Sequence, residues 1–225
     1  MDKTKAPNTR ECKNRKASFR LSKSGLGIFL SGLKTFSEPD LYSEQYSTDS
    51  ETAASVLWDL HISGLIEGKT VCDLGAGTGV LGIGALFLGA KECLFVERDD
   101  KAIKILKSNL TRINKGKAII INKDISSFCE KDFKSKIDLV LQNPPFGTKK
   151  RNVDKEFLEK GFSMSNNVLS FHKSSTERFI KAISRDYGFS ICKRWDFSYP
   201  LKKSFLFHKS RIKYIDVSCF FFIKD

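Results

Sequence analysis

Gln142-Asn143-Pro144-Pro145-Phe146-Gly147 comes directly after the apolar run Ile137-Asp138-Leu139-Val140-Leu141. An apolar run that stops abruptly in Asn-Pro-Pro-aromatic reads as a buried strand whose carboxyl end opens into a stiff loop. The prolines fix φ and remove two amide donors, so neither sheet nor helix can continue through them. Such a loop holds the Asn143 amide and the main-chain carbonyls in place beside the flat ring of Phe146. That arrangement suits gripping a planar amino group while its nitrogen reacts, with Asn143, Pro144, Pro145 and Phe146 as the catalytic group. By itself the tetrapeptide is equally a strand terminator with Phe146 in the core, so the decision rests on the rest of the chain.

A second constellation lies upstream, in Asp73-Leu74-Gly75-Ala76-Gly77-Thr78-Gly79. Glycines at a strand-to-helix turn let the backbone turn tightly and approach a ligand without Cβ interference. Glu97 closes the next apolar run at a distance suited to the two hydroxyls of a ribose. Asp124 closes the third, where a carboxylate could accept from an adenine amino group between the apolar walls Ile125 and Phe128. Gly77-Thr78-Gly79-Val80-Leu81-Gly82 also satisfies the dinucleotide fingerprint G-x-G-x-x-G. Asp73, immediately before the glycines, argues against a dinucleotide. A carboxylate there repels a pyrophosphate but tolerates the sulfonium and amino group of S-adenosylmethionine.

The elements that must position these residues are given by periodicity. Strands and helices alternate, the pattern of a parallel sheet covered on both faces. Strands are expected at 70–74, 92–97, 117–122, 137–141, 168–172, 189–199 and 213–223. Helices are expected at 48–65, 80–88, 99–113, 154–162 and 174–187, with a short apolar helix or hairpin at 25–36. Ser47 or Thr48 is available to cap the helix from residue 48. The link 200–211 reads as a hairpin-like loop, which makes the carboxyl-terminal strand antiparallel. Ligands of such open sheets bind at the carboxyl ends of the strands. Phe220, Phe221 and Phe222 cannot all face one side, so one face of the last strand is a candidate partner surface.

The chain of 225 residues carries a formal net charge of +13, which favours a polyanionic partner. Eight of the basic residues fall within residues 1–24 against only Asp2 and Glu11. This stretch is too polar to fold alone and reads as a basic arm, either phosphate-contacting or solubilising. Residues 25–225 then form a single domain. No run of 18 apolar residues and no secretory pattern occurs, so the expectation is a soluble cytoplasmic protein with no membrane partner. The six cysteines form no C-x-x-C pair, and with no His at ligand spacing no metal is expected; Cys72, Cys93 and Cys219 read as buried thiols.

Asp73–Gly79, Glu97, Asp124 and Asn143–Phe146, in this order and spacing, resemble the class I S-adenosylmethionine-dependent amino-methyltransferases. More narrowly, Glu44-Gln45-Tyr46-Ser47-Thr48, Asn143–Thr148, Phe171–Thr176 and Phe205–Lys209 resemble the methyltransferase-like protein five family and its archaeal relatives. The likeness covers residues from about 30 to 225 and leaves the basic arm outside. It implies an α/β, Rossmann-like class I methyltransferase fold: a seven-stranded, mostly parallel sheet with an antiparallel C-terminal strand and helices on both faces. The implied activity is N6-methylation of an adenosine in small-subunit rRNA. The implied cofactor contacts are Gln45, Thr48, Gly75, Thr78, Val80, Glu97, Asp124 and Ile125, beside Asp73 and Gly77 from the glycine turn. Asn143, Pro144 and Phe146 would hold the base. Some members carry Cys in place of Thr78 and Asp in place of Glu97, both mild exchanges. Eukaryotic members work with a small zinc-containing activator subunit that pairs with the sheet. Lys173, His208 and Lys209 are candidate RNA contacts; His172-Lys173 and His208-Lys209 are equally solvated loop charges with partly buried imidazoles. Two other functions fit the same residues: methylation of a glutamine amide in a release factor, and a non-catalytic RNA-binding or assembly subunit that keeps the fold. A DNA adenine methylase lacks its target-recognition domain here.

Overall fold

A computed structural model describes residues 21–36, 48–145, 153–200 and 214–225. Seven strands form one sheet: β1 (Thr70–Leu74), β2 (Glu92–Glu97), β3 (Lys117–Asn122), β4 (Leu139–Gln142), β5 (Asn167–Lys173), β6 (Phe189–Pro200) and β7 (Tyr214–Lys224). Their order is β3-β2-β1-β4-β5-β7-β6. β1 to β5 run parallel, and β7 pairs antiparallel with both β5 and β6. The central strands are apolar at successive positions rather than at alternate ones because helices cover both faces. β1 and β4 are buried along their whole length, whereas the edge strand β3 is exposed or half-buried throughout.

Among the described residues six α-helices supply the two outer layers: α1 (Lys23–Ser31), α2 (Ser50–Ile62), α3 (Val80–Phe87), α4 (Asp100–Leu110), α5 (Val153–Met164) and α6 (Glu177–Asp186). On one face Phe29, Leu57, Ile83 and Leu106 from α1 to α4 pack with Val71, Phe95 and Leu141 of the sheet. On the other, Leu158 and Phe162 of α5 and Ile180 of α6 pack with Leu74, Val140 and Phe222. Each full burial of a large apolar side chain contributes about 1.5–3 kcal/mol, and the period-two alternation of the strands divides that contribution between the layers.

Four readings of the sequence change at this level. The stretch 25–36 takes the helical one of its two expected forms, but only as far as Ser31. That helix starts at Lys23 with Ser22 as its cap, the Ser22 hydroxyl accepting from Gly25 N at 3.0 Å, so it takes in the end of the expected arm. Residues 1–20 lie outside the described residues. The cap of α2 is Asp49 rather than Ser47 or Thr48. Its carboxylate accepts from Glu51 N at 3.1 Å and Thr52 N at 3.0 Å, and a negative charge at a helix start is the better cap. The expected helix 174–187 opens with a 3-10 turn, Ser174–Thr176, before α6. Finally, Phe220–Phe222 offer no partner surface. Phe220 and Phe222 point into the α5/α6 layer and Phe221 into the other, all three buried, because both faces of β7 are covered and its edges are paired with β5 and β6. Residues 201–213 between β6 and β7 are outside the described residues. Among the described residues no helix is long and apolar enough to cross a membrane. The thiols of Cys72, Cys93 and Cys219 are buried, as expected.

One buried polar side chain links the amino-terminal helix to the glycine turn. Asn109 of α4, fully buried, accepts from Lys34 N at 2.8 Å through its amide oxygen. Its amide nitrogen donates to Lys34 O and to Thr78 O, each at 2.9 Å. Replacing Asn109 by Ala strands three backbone groups. The expected cost is about 2–3 kcal/mol, read as a lowered urea midpoint with an unchanged slope.

Candidate active site

The strand order reverses between β1 and β4, and at such a switch point the connections leave in opposite directions and open a crevice. Register fixes which residues meet there. Leu74 of β1 lies opposite Gln142 of β4, so the glycine turn and the Asn-Pro-Pro loop leave the sheet side by side. Gly75 N and Ala76 N donate to Val96 O at 2.8 and 3.0 Å, fastening the start of the turn to the end of β2. Gly75 has φ +67°, and a Cβ there would stand 2.8 Å from the Phe157 ring of α5. Gly79 caps α3 at φ +89°, where a Cβ would fall on the Leu106 side chain. Both positions demand glycine for shape as well as for backbone angle.

The carboxylates take distinct environments. Asp73 is 2% exposed, and its carboxyl accepts from Gly82 N at 2.8 Å. Burial pushes its pKa up to about 8; the Gly82 hydrogen bond works against this and the nearby Glu97 charge adds to it. Glu97, at the end of β2, accepts from Gly77 N at 2.7 Å with one oxygen and from Arg98 N and Asp99 N at 2.8 and 2.9 Å with the other. Asp124, just past β3, accepts from Ser126 N at 2.9 Å and the Ser126 hydroxyl at 2.8 Å, and pairs with Arg98 at 2.8 Å. The Ser126 bonds, backbone first, and then Arg98 pull its pKa down to about 2, so it stays ionised.

These residues line one cavity. Asp73, Gly75, Gly77, Thr78, Val80, Glu97, Asp124, Ile125, Thr48, Asn143 and Pro145 all reach it, which brings together most of the residues the sequence singled out. Pro144 is buried beside them but does not line it. Five acidic side chains (Asp73, Glu97, Asp99, Asp124, Glu156) face the cavity against two basic ones, Arg98 and Lys123. Asn143, at the mouth of β4, donates its amide N–H to Thr48 Oγ1 at 3.0 Å, while its amide oxygen is buried with no partner among the described residues. A buried acceptor without a donor costs about 1–3 kcal/mol, and the cost vanishes when a ligand N–H arrives.

Gln45, Phe146, His208 and Lys209 lie outside the described residues. Lys173 ends β5, half-buried, on the same edge of the sheet. His172 is 1% exposed and bonded to the Ser170 hydroxyl at 2.7 Å, and burial holds its pKa down to about 3. It is therefore a neutral core imidazole rather than a phosphate contact. The sequence reading missed Phe36, Arg98 and Phe157 as cavity walls. Phe157 had a signal in its helical period; its approach to Gly75 depends on how α5 docks, which periodicity does not encode. Arg98 comes directly after Glu97 but reads as an ordinary surface cation until its pairing across β2 and β3 is seen.

A 3-2-1-4-5-7-6 sheet with a glycine turn after β1 and acidic ends on the neighbouring strands is the class I methyltransferase fold. The magnesium protoporphyrin IX methyltransferase of Synechocystis, solved with bound SAM, shares it at TM-score 0.60 and 17% identity, covering 78% of this chain and 79% of that one. Protein PH1948 of Pyrococcus horikoshii superposes at TM-score 0.77 with 41% identity over 90% of this chain and 98% of that one. Residues 55–191 match the family model described as Conserved hypothetical protein 95. The rRNA N(6)-adenosine-methyltransferase METTL5 of Danio rerio is 34% identical over 78% of this chain and 86% of its own length. Mettl5 of Drosophila melanogaster is 32% identical over 88% and 94%. The chain belongs to the METTL5 family of rRNA N(6)-adenosine-methyltransferases.

Asp73 makes stability pH-dependent in a direction opposite to that of an ion-paired carboxylate. Its pKa is higher folded than unfolded, so the native state binds the extra proton between 3.8 and about 8. Its contribution to stability is present in full below the unfolded pKa and is lost as pH rises through the folded one. Stability of the wild type relative to Asp73→Asn is expected to decline from about pH 4 to about pH 8 and then level off. Urea titrations of both proteins across that range measure it; a flat difference would rule out the raised pKa.

Proposed function

We propose that this protein methylates the N6 amino group of an adenosine in RNA, small-subunit rRNA being the substrate, with S-adenosylmethionine as methyl donor. The observation that carries the reading is the Asn143 amide oxygen, buried, partnerless among the described residues, and standing at the edge of the acidic cavity. Membership of a family whose named relatives act on rRNA adenosine supports it, as does the net charge of +13. The cavity is acidic within a basic chain, which fits a cationic ligand and disfavours a pyrophosphate. The residues present fit the cofactor: Gly77 leaves its backbone open to approach, Glu97 lines the cavity as the acceptor for ribose hydroxyls, and Asp124 stays ionised for an adenine amino group. When bound, S-adenosylmethionine supplies an electrophilic methyl group on a sulfonium.

The chain's own part is to prepare the acceptor. An exocyclic adenine amine is a weak nucleophile because its lone pair is delocalised into the ring. Asn143 Oδ1 and the Pro144 carbonyl accept its two N–H bonds, draw the nitrogen toward sp³ geometry and turn the lone pair to the cavity. The prolines keep both acceptors fixed, so little reorganisation remains to be done at the moment of transfer. Phe146 supplies the ring on which the base stacks in this reading, and the base enters unpaired or flipped from its helix.

The small zinc-containing activator expected of eukaryotic members fits the β3 edge. There Ile119, Ile120 and Ile121 are half-buried and, among the described residues, β3 pairs with β2 alone. The opposite edge, β6, carries exposed Lys193, Arg194 and Asp196, the kind of charge that discourages strand addition.

Incubation with labelled S-adenosylmethionine and small-subunit rRNA is expected to give N6-methyladenosine at one site. Asn143→Ala should lower the rate by at least about 100-fold, the scale seen when one preorganised polar partner is removed. Equal rates in the variant would defeat the mechanism. Unmodified RNA together with a methylated release-factor glutamine would replace the substrate.

A further inference from the structure

Basic side chains are handled differently on different helices. Lys155 of α5 pairs with Glu159 at 3.6 Å and Lys181 of α6 with Glu177 at 2.7 Å, the i,i+4 arrangement that supports an exposed helix. α4 lacks that support. Residues 101–123, from the first turn of α4 to just past β3, hold seven Lys or Arg and no Asp or Glu. Ala102, Ile103 and Leu106 turn to the core, which leaves Lys101, Lys104 and Lys107 exposed on the outer side at intervals of three residues. None of these three ammonium groups meets a carboxylate among the described residues. Packing adds two more cations to the cluster. Lys34, just past α1, donates to Ser108 Oγ at 3.0 Å, and the Arg112 guanidinium donates to Gly32 O.

The cluster starts where the cavity ends. α4 leaves the carboxyl end of β2, and the two residues before it, Arg98 and Asp99, line the cavity. The negative charge near that start is engaged by the protein: Asp99 accepts from Lys101 N and Asp100 from the Asn122 side chain, each at 2.8 Å. Beyond it the 11 residues of α4 run about 16 Å away from the rim. β2 lies two strand spacings from β4, about 10 Å from the strand that carries Asn143. A methyl donor held inside the cavity cannot span that path, and neither can a single nucleoside. A polyanion with one unit seated at Asn143 can. An acidic protein is the poorer occupant, because protein interfaces are anchored by apolar and aromatic side chains. The large exposed apolar side chains among the described residues are Leu21, Ile28, Ile62, Phe179, Tyr187 and Tyr214, and none is on α4. Phosphates need only point charges.

We propose that the outer face of α4, with Lys34 and Arg112 beside it, is a docking surface for the phosphate backbone of RNA flanking the methylated adenosine. The assignment rests on the reading of RNA as the substrate and adds a binding surface outside the cavity. Contacts of this kind fix register and carry no sequence preference. They act equally on the bound substrate and on the transition state, so they lower KM and leave kcat alone.

The test compares two triple variants of the full chain that remove the same charge. One carries Lys101→Gln, Lys104→Gln and Lys107→Gln, an exchange that keeps helix propensity. The other carries Lys155→Gln, Lys181→Gln and Lys193→Gln, three lysines that are ion-paired elsewhere. Binding of a small-subunit rRNA fragment is followed by fluorescence anisotropy over a range of salt concentrations. The α4 variant is expected to lose about tenfold in affinity, and its slope of log K against log salt should fall by about 2–3. The slope of the other variant should change by less than about 1. In turnover, KM for the same RNA should rise about tenfold in the α4 variant with kcat unchanged. Calorimetry with S-adenosylhomocysteine should give wild-type affinity in both variants, which shows that fold and cavity are intact. Equal loss of slope in the two variants would reduce the effect to net charge and overturn the proposal. Unchanged RNA affinity with weakened binding of the activator subunit would give the face to an acidic protein and overturn it too. A wild type that binds RNA without methylating it would defeat the proposed function, and the slopes would still decide the docking surface. No RNA binding by the wild type would overturn the docking surface itself.

Discussion

The parallel pairing of β1 with β4 is the constraint on which the site depends. Val71 to Leu74 lie against Leu139 to Gln142, so the two strands end at the same height. β1 runs out into a turn that only glycine can make at positions 75 and 79, and β4 into a loop that two prolines keep from pairing. A slip of one residue in this pairing would turn Asp73 and Val140 to the wrong layers. The continuous burial of both strands makes such a slip costly, so the hydrophobic register of the sheet is also the ruler that spaces the cavity from Asn143.

Charge is distributed against the overall balance of the chain. The surplus of Lys and Arg lies outside the cavity, and its walls carry five acids against two bases. Within that group, burial and hydrogen bonding assign the protonation states. Asp73, buried near the end of β1, holds a proton well above the usual carboxylate range, while Asp124, at the rim with Ser126 and Arg98, stays charged. A cation reaching Asp73 would favour loss of that proton, so the site gains charge complementarity on binding and avoids an uncompensated buried anion without it. The exterior is thereby suited to a polyanion and the interior to a cation, without the two fields competing at one surface.

Much of this was legible because the signals were local. The bounds of β1, β2 and β3 come from apolar runs ended by Gly or an acidic residue, and the glycine turn announces itself by spacing. The antiparallel last strand was implied by the lack of a helix between 199 and 213. The features that were not legible depend on docking between distant segments. Asp49 displaced Thr48 as the cap of α2 because a carboxylate suits a helix start better. The Phe220–Phe222 row lost its expected partner face once β7 proved to lie between β5 and β6, a position that chain order conceals. His172 closed its expected strand beside a loop, as a candidate phosphate contact or a partly buried imidazole, yet β5 runs on to Lys173 and the ring lies in the core, where Ser170 satisfies it.

The displaced cap bears on the chemistry. Had Thr48 capped α2, its hydroxyl oxygen would have been taken up by backbone N–H groups of the first turn. With Asp49 in that role, two amides are satisfied by a carboxylate, and Thr48 stands one residue outside the helix with its oxygen available to Asn143. The same exchange puts Thr52 within reach of Tyr199, so the first turn of α2 is tied to the far strand of the sheet. The amino-terminal helices thus do more than cover one face of the core. They carry a polar contact to the end of β4 that a sheet alone could not supply, since strands present side chains above and below their plane and not along it.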